Sequence, residues 1–121
     1  MYKQIDLATW KRKDIFNLFK TYPDPYFNTT FEVDVSNLYR QCRYKGFSFF
    51  LCYLYLSNKA ALSVEGFKLR FKGDQVISYD KLDLGSTTLL SDNTFTFYYY
   101  NYEKELTSFF ENGQKACRYL I

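Results

Sequence analysis

Apolar and polar residues alternate in YKQIDL (residues 2–7), and this period of two predicts a short strand. The spacing then changes. Ile15, Phe16, Leu18 and Phe19 fall on one face of a helix that begins near Trp10, with Thr9 as its cap. Pro23 and Pro25 end that helix and impose an extended loop. In FNTTFEVDV (residues 27–35), Phe27, Thr29, Phe31, Val33 and Val35 recur at every second position, the pattern of a half-buried strand. Ser36 is placed to cap a helix over NLYRQCRYK, and Gly46 to end it. Residues 47–62 are apolar almost all round, so they predict a helix buried between layers.

Two alternating runs flank KGDQ in GFKLRFKGDQVISYD (residues 66–80), which predicts a β-hairpin. LGSTTLLS and NTFTFYYY predict two further strands. The final segment, NYEKELTSFFENGQKACRYLI, has helical spacing with Leu106, Phe109 and Phe110 inward, and Gly113 weakens it midway. The layout predicts an α+β two-layer sandwich, a mostly antiparallel sheet with helices on one face.

Composition narrows the class. The 121 residues fit one domain, and 22 % aromatic content, with 13 Phe and 13 Tyr, excludes a disordered chain. It implies a large core or a large apolar surface that needs a cover. The 16 basic and 13 acidic residues are interspersed, without a run of like charge, so neither a nucleic-acid tail nor a nucleic-acid partner is expected. KRK at 11–13 reads as a solvated first helical turn. The longest apolar stretch, FSFFLCYLYL, is too short to span a bilayer, so no membrane partner is expected. Cys42, Cys52 and Cys117 form no CxxC pair and there is no histidine to join them, which argues against a metal site. The odd count and the lack of a signal peptide predict reduced thiols in a cytoplasmic protein.

The absence of histidine also bounds the chemistry. Imidazole activation of a serine or cysteine is excluded within this chain. There is no P-loop, no GxGxxG, and no carboxylate pair at catalytic spacing. Asp34 and Asp80 sit at predicted strand ends, where turn capping is their ordinary role. Phe16, Phe19, Tyr26 and Phe27 could line an apolar ligand pocket, or could simply be core.

Taken in order, several motifs resemble the first half of the chloramphenicol acetyltransferase family. DLATWKRKDIF is similar to the family's opening D…WxRKxxF. FNTTFEVDV stands where the family has a strand ending in aspartate and a β-branched residue. The GF that begins an apolar helix follows. GFKLRFKGDQVISYD resembles the hairpin FRxxxxDGxLxxWD, and TTLLSDNTFT resembles a strand ending in ETFS. The resemblance implies a trimeric enzyme that transfers acetyl from acetyl-CoA to the primary hydroxyl of chloramphenicol, without a metal. A histidine in an HHxxxDG motif is the general base, a serine from mid-chain supports the oxyanion, and the site lies between subunits.

By the same resemblance, Arg12 matches an arginine that pairs with the aspartate of the histidine motif and braces the catalytic loop. Leu18, Phe19 and Phe27 match positions lining the antibiotic pocket, Thr87 a threonine beside it, and Phe95 a pocket phenylalanine. Pro25 occupies a pocket position where a small residue, often cysteine, is expected. Gly85 replaces a polar position, and Ser48 and Phe49 replace the tyrosine and proline of an FYP motif near the coenzyme.

The sequence stops before the family's serine region and its HHxxxDG motif. The expectation is therefore a single truncated domain over residues 1–121, an incomplete version of the family fold, carrying the acceptor-pocket half and inactive alone. Open strand edges and an uncovered apolar face predict self-association or a complementary chain. The alternative functions are a non-catalytic module that binds a small apolar ligand or a partner, and a degenerate fragment.

Overall fold

A computed structural model of the chain describes residues 1–118, with side chains described as far as Lys115. The first strand, β1 (Tyr2–Gln4), pairs antiparallel with β3 (Gln75–Tyr79), Tyr2 opposite Tyr79 and Gln4 opposite Ile77. On the other side of β3 lies β2 (Leu69–Lys72), so the order of this three-stranded sheet is β1-β3-β2. The β2–β3 turn is the predicted hairpin. Gly73 has φ +59°, a conformation that favours glycine. Val76 and Ile77 are consecutive on the central strand and both buried, so both faces of the sheet are covered there.

Between β1 and the sheet's return run three helices. Helix α1 (Lys13–Phe19) starts three residues later than the sequence pattern suggests. Thr9 does not cap it: its hydroxyl lies 3.0 Å from Asp6 Oδ2, in a turn in which the Thr9 amide also donates to the Asp6 carbonyl. The expected apolar face is also mostly uncovered. Phe16 alone is buried, in edge contact with Phe71 of β2 at 5.2 Å, while Ile15, Leu18 and Phe19 face outward. A seven-residue helix presents barely two turns, and one ring suffices to seat it.

The alternation of residues 27–35 does not produce a strand. Phe27, Phe31 and Val33 lie exposed in a segment without regular secondary structure. A strand needs a partner for its backbone groups, and none of the described sheets includes this segment. Helix α2 (Ser36–Lys45) follows. Ser36 is its first residue rather than its cap, and Asp34 takes the capping role through Oδ1, which accepts from the Ser36 amide at 2.9 Å. Gly46 ends α2 with φ +69°.

Helix α3 (Phe49–Ser63) is capped by Ser48, whose Oγ accepts from the Leu51 amide. It is buried on one face only. Leu51, Cys52, Tyr55 and Asn58 point inward at helical spacing, while Tyr53 and Leu56 are exposed. Asn58 is held there by donating from Nδ2 to the Leu82 carbonyl at 2.8 Å, and the Tyr55 hydroxyl donates to the Lys104 carbonyl at 2.7 Å. These two bonds tie α3 to the segments on either side of a second sheet. That sheet is a two-stranded antiparallel ribbon, β4 (Leu84–Leu89) and β5 (Phe95–Tyr100).

The last element, α4 (Leu106–Arg118), packs Phe109 and Phe110 into the main core with Leu51, Cys52, Tyr55, Cys42 and Tyr100. It is continuous through Gly113, which is buried against Leu51. The α+β class and the antiparallel pairing hold, with the five strands of the described residues divided between two sheets. Cys42 and Cys52 are free thiols, whereas the side chain of Cys117 and residues 119–121 of the predicted last helix lie outside the described residues. No helix among the described residues is long and apolar enough to cross a membrane.

Candidate functional site

The β4–β5 ribbon carries two different faces. Pairing Leu84 with Tyr100 and Leu89 with Phe95 sets a register in which Ser86, Thr88, Thr96, Tyr98 and Tyr100 turn toward the helices. The opposite face presents Gly85 across from Tyr99, Thr87 across from Phe97, and Leu89 across from Phe95. All six are exposed, Phe97 at 69 % and Tyr99 at 72 %. None carries a charge. Phe95 and Phe97 meet edge to face at 5.9 Å. Gly85 has a steric role: a Cβ at that position would lie 3.3 Å from Tyr99 Cε1, so the glycine lets the tyrosine ring lie across the neighbouring strand.

Thr87 and Phe95, two of the expected pocket residues, therefore share one face. The remaining ones stand on other elements. Leu18 and Phe19 are on the exposed side of α1, where Phe19 contacts Tyr22 edge to face at 5.2 Å. Pro25 and Phe27 lie in the irregular segment between α1 and α2, with Phe27 92 % exposed. Tyr26 is exposed beside them, so of the four aromatic residues weighed as core or pocket wall, Phe16 alone is core. The strand register adds Phe97 and Tyr99 to the face of Thr87 and Phe95. Their signal is there in the sequence, since they follow Phe95 at intervals of two.

Arg12 occupies the position preceding α1, and its carbonyl accepts from the Phe16 amide at 2.9 Å. Its side chain is exposed and reaches toward the turn after α3. A Cβ placed on Gly66 would sit 3.4 Å from Arg12 Nη1. With Trp10, Lys11, Asp6 and Glu65, it lines a cleft of about 400 Å³ between the start of the chain and that turn. An exposed guanidinium presents a planar fork suited to a carboxylate.

Ser48 and Phe49, the two positions expected to depart from a coenzyme-binding motif, form the capped start of α3. Phe49 packs between Tyr39 and Tyr53 at 5.5 Å from each ring. Among the described residues no cluster of three or more His, Cys, Asp or Glu side chains could hold a metal ion. The ribbon's outward face offers apolar surface to a neutral ligand, and the Arg12 guanidinium is open to a carboxylate. The chain contains no histidine to take a proton from a hydroxyl at neutral pH.

Comparison with known proteins gives a consistent result. A family model described as chloramphenicol acetyltransferase matches residues 1–119. A chloramphenicol acetyltransferase from Staphylococcus aureus is 34 % identical over 83 residues, covering 68 % of this chain and 38 % of that protein. Chloramphenicol acetyltransferase 2 from Escherichia coli is 26 % identical over 118 residues, covering 98 % of this chain and 48 % of that protein. A solved structure of a chloramphenicol acetyltransferase superposes with a TM-score of 0.90 at 28 % identity, covering 98 % of this chain and 56 % of that one. The chain thus spans about half or less of the length of the curated relatives it matches.

Proposed function

The chain belongs to the chloramphenicol acetyltransferase family, and from that membership we propose that it supplies the acceptor-binding part of an acetyltransferase site. The reaction is transfer of an acetyl group from acetyl-CoA to a hydroxyl of a chloramphenicol-like antibiotic. The outward face of the β4–β5 ribbon carries this reading. It is uncharged, aromatic and exposed, and it brings Thr87 and Phe95 onto one surface. Such a face gains by burying a neutral apolar ligand, and the threonine hydroxyl gives it one directional contact. Phe27, Pro25, Leu18 and Phe19 are proposed as further pocket walls, brought to the acceptor when the face is covered by a neighbouring chain.

Arg12 is a positioning residue in this proposal. Its guanidinium braces a carboxylate next to the base, and it touches neither substrate. The base itself comes from outside these 121 residues, because the chain has no histidine. Acetyl transfer to a hydroxyl needs that proton removed as the oxygen attacks the thioester carbonyl, and general base catalysis contributes about 10²–10⁴-fold. The chain alone is accordingly proposed to be inactive, to sit in a cytoplasmic oligomer and to act only with a complementary polypeptide.

Two measurements on the 121-residue chain test this reading. Thiol release from acetyl-CoA in the presence of chloramphenicol is expected to stay at the buffer rate, and turnover well above it refutes the proposed inactivity. Titration with chloramphenicol, followed by amide chemical shifts, is expected to move Thr87, Phe95 and Phe97. Shifts confined to other residues, or none at millimolar ligand, count against the acceptor face.

A further inference from the structure

The two cysteines of the core come from helices that meet at the Gly46 corner. Cys42 is four residues before that glycine, and its carbonyl accepts from the Phe47 amide at 2.8 Å. Cys52 is in the first turn of α3, and its amide donates to the Ser48 carbonyl at 3.1 Å. The corner folds the chain back, so both side chains enter one cluster, each only 3 % exposed. Cys42 acts on the Cys52 thiol as a neighbour within that cluster. Bridging them calls for an S–S bond of ~2.05 Å, closed by movement of the two side chains within that cluster.

The rest of α2 makes that movement available. Cys42 is the one buried side chain of this ten-residue helix, with Leu38 partly covered beside it. The other eight positions face solvent. A helix seated by so little buried surface opens locally at low cost, and opening α2 uncovers both sulfurs together.

We propose that Cys42 and Cys52 are a modification site, a latent dithiol that a two-electron oxidant converts to an intrachain disulfide fastening α2 to α3. With an azo oxidant such as diamide, one thiol adds across the N=N bond to give a sulfenylhydrazine. The second sulfur then displaces it. The S–S bond forms, the two thiol hydrogens end on the two nitrogens, and the oxidant leaves as the hydrazine. While α2 is closed, burial and the neighbouring thiol push the Cys52 thiol up to about 12, which keeps it protonated and slow to react. Oxidation therefore proceeds through the open state of α2. Bridging also stabilises the closed state, because it removes chain entropy from the open one.

The test uses the folded chain and diamide. After treatment, the protein is unfolded, its free thiols are alkylated, and it is digested with trypsin. Cys42 then falls in the peptide 41–43 and Cys52 in 46–59, so a bridge links two otherwise separate peptides. The expected result is that linked pair, with loss of two alkylation sites, reversal by dithiothreitol, and a Tm several degrees above that of the reduced chain. The Cys117→Ser variant is expected to give the same linked pair. Recovery of both peptides fully alkylated overturns the proposal. So does a bridge from either cysteine to Cys117 or to a second chain. A Cys42→Ser variant with an unchanged circular dichroism spectrum supplies the control, in which no linked pair forms.

Discussion

Leu51 and Gly113 are in contact across the α3–α4 interface with no room to spare: a Cβ on Gly113 would fall 2.8 Å from Leu51 Cδ2 and 3.1 Å from Cδ1. Leu51 is itself 1 % exposed, so it has nowhere to retreat. Glycine costs a helix interior about 1 kcal/mol relative to alanine. Overpacking a filled core costs typically 1–3 kcal/mol. The second effect wins here. Gly113→Ala is expected to lower the unfolding free energy by about 1 kcal/mol in a denaturant titration. Leu51→Ala alone is expected to cost about 2–5 kcal/mol. Combined with Leu51→Ala, the alanine at 113 is expected to become neutral or stabilising, because the clash is gone and the helix preference remains. A more stable single Gly113→Ala variant would show that α4 can shift away.

The inward face of β4 carries an unmet hydrogen bond. The Thr88 hydroxyl is buried and has no partner among the described residues. Valine has the same shape as threonine. Thr88→Val removes a desolvated polar group without opening a cavity, so it is expected to stabilise the chain by about 1 kcal/mol. Thermal or urea unfolding measures this. A loss of stability would mean that the hydroxyl finds a partner in solution.

Two carboxylates give the fold a defined response to acid. The Ser36 hydroxyl and amide hold Asp34 below its usual 3.8, and the Thr94 hydroxyl and amide do the same for Asp92. Both groups are fully exposed. A carboxylate lowered in the folded state favours folding at pH values above its unfolded pKa, and that contribution disappears as pH falls through the folded value. The start of α2 and the β4–β5 turn are therefore expected to loosen together below about pH 4. The Ser36 and Thr94 amide shifts report it, each with a midpoint under 3.8. Asp34→Asn retains a side-chain acceptor and is expected to remove the pH dependence at Ser36 while leaving that at Thr94. A Ser36 midpoint at or above 3.8 would contradict the capping role of Asp34.

The features legible in the sequence are those decided locally. KGDQ fixes the β2–β3 hairpin because a turn needs four neighbouring residues, and Gly46 ends α2 because the left-handed position favours it. The alternation in NTFTFYYY holds because β4 is close in sequence and pairs with it. FNTTFEVDV alternates as clearly and forms no strand, since pairing depends on a distant partner that its own residues cannot specify. Gly113 is legible only in part for a related reason. Helix preference is visible in the chain, whereas the Leu51 side chain that requires a glycine there comes from another helix. On the outward face of the β4–β5 ribbon, the resemblance points to Thr87 and Phe95, and the register adds Phe97 and Tyr99.

That face supplies the last prediction. Phe97 stands mid-strand on the uncharged side of the ribbon, between Phe95 and Tyr99 and opposite Thr87. On the proposed reading this surface is covered by another chain, and an aromatic residue near the centre of such a surface carries a large share of the binding energy. Aspartate at this position would place a charge in the covered patch, where its desolvation opposes association. The side chain faces away from the core, so the fold should keep its stability. Sedimentation velocity over a concentration series is expected to show the unaltered chain as a species heavier than its 14.6 kDa mass. Phe97→Asp is expected to weaken that association by at least about tenfold, while thermal unfolding of the variant at low concentration matches that of the parent. Identical sedimentation of the two proteins would remove the β4–β5 face from the interface.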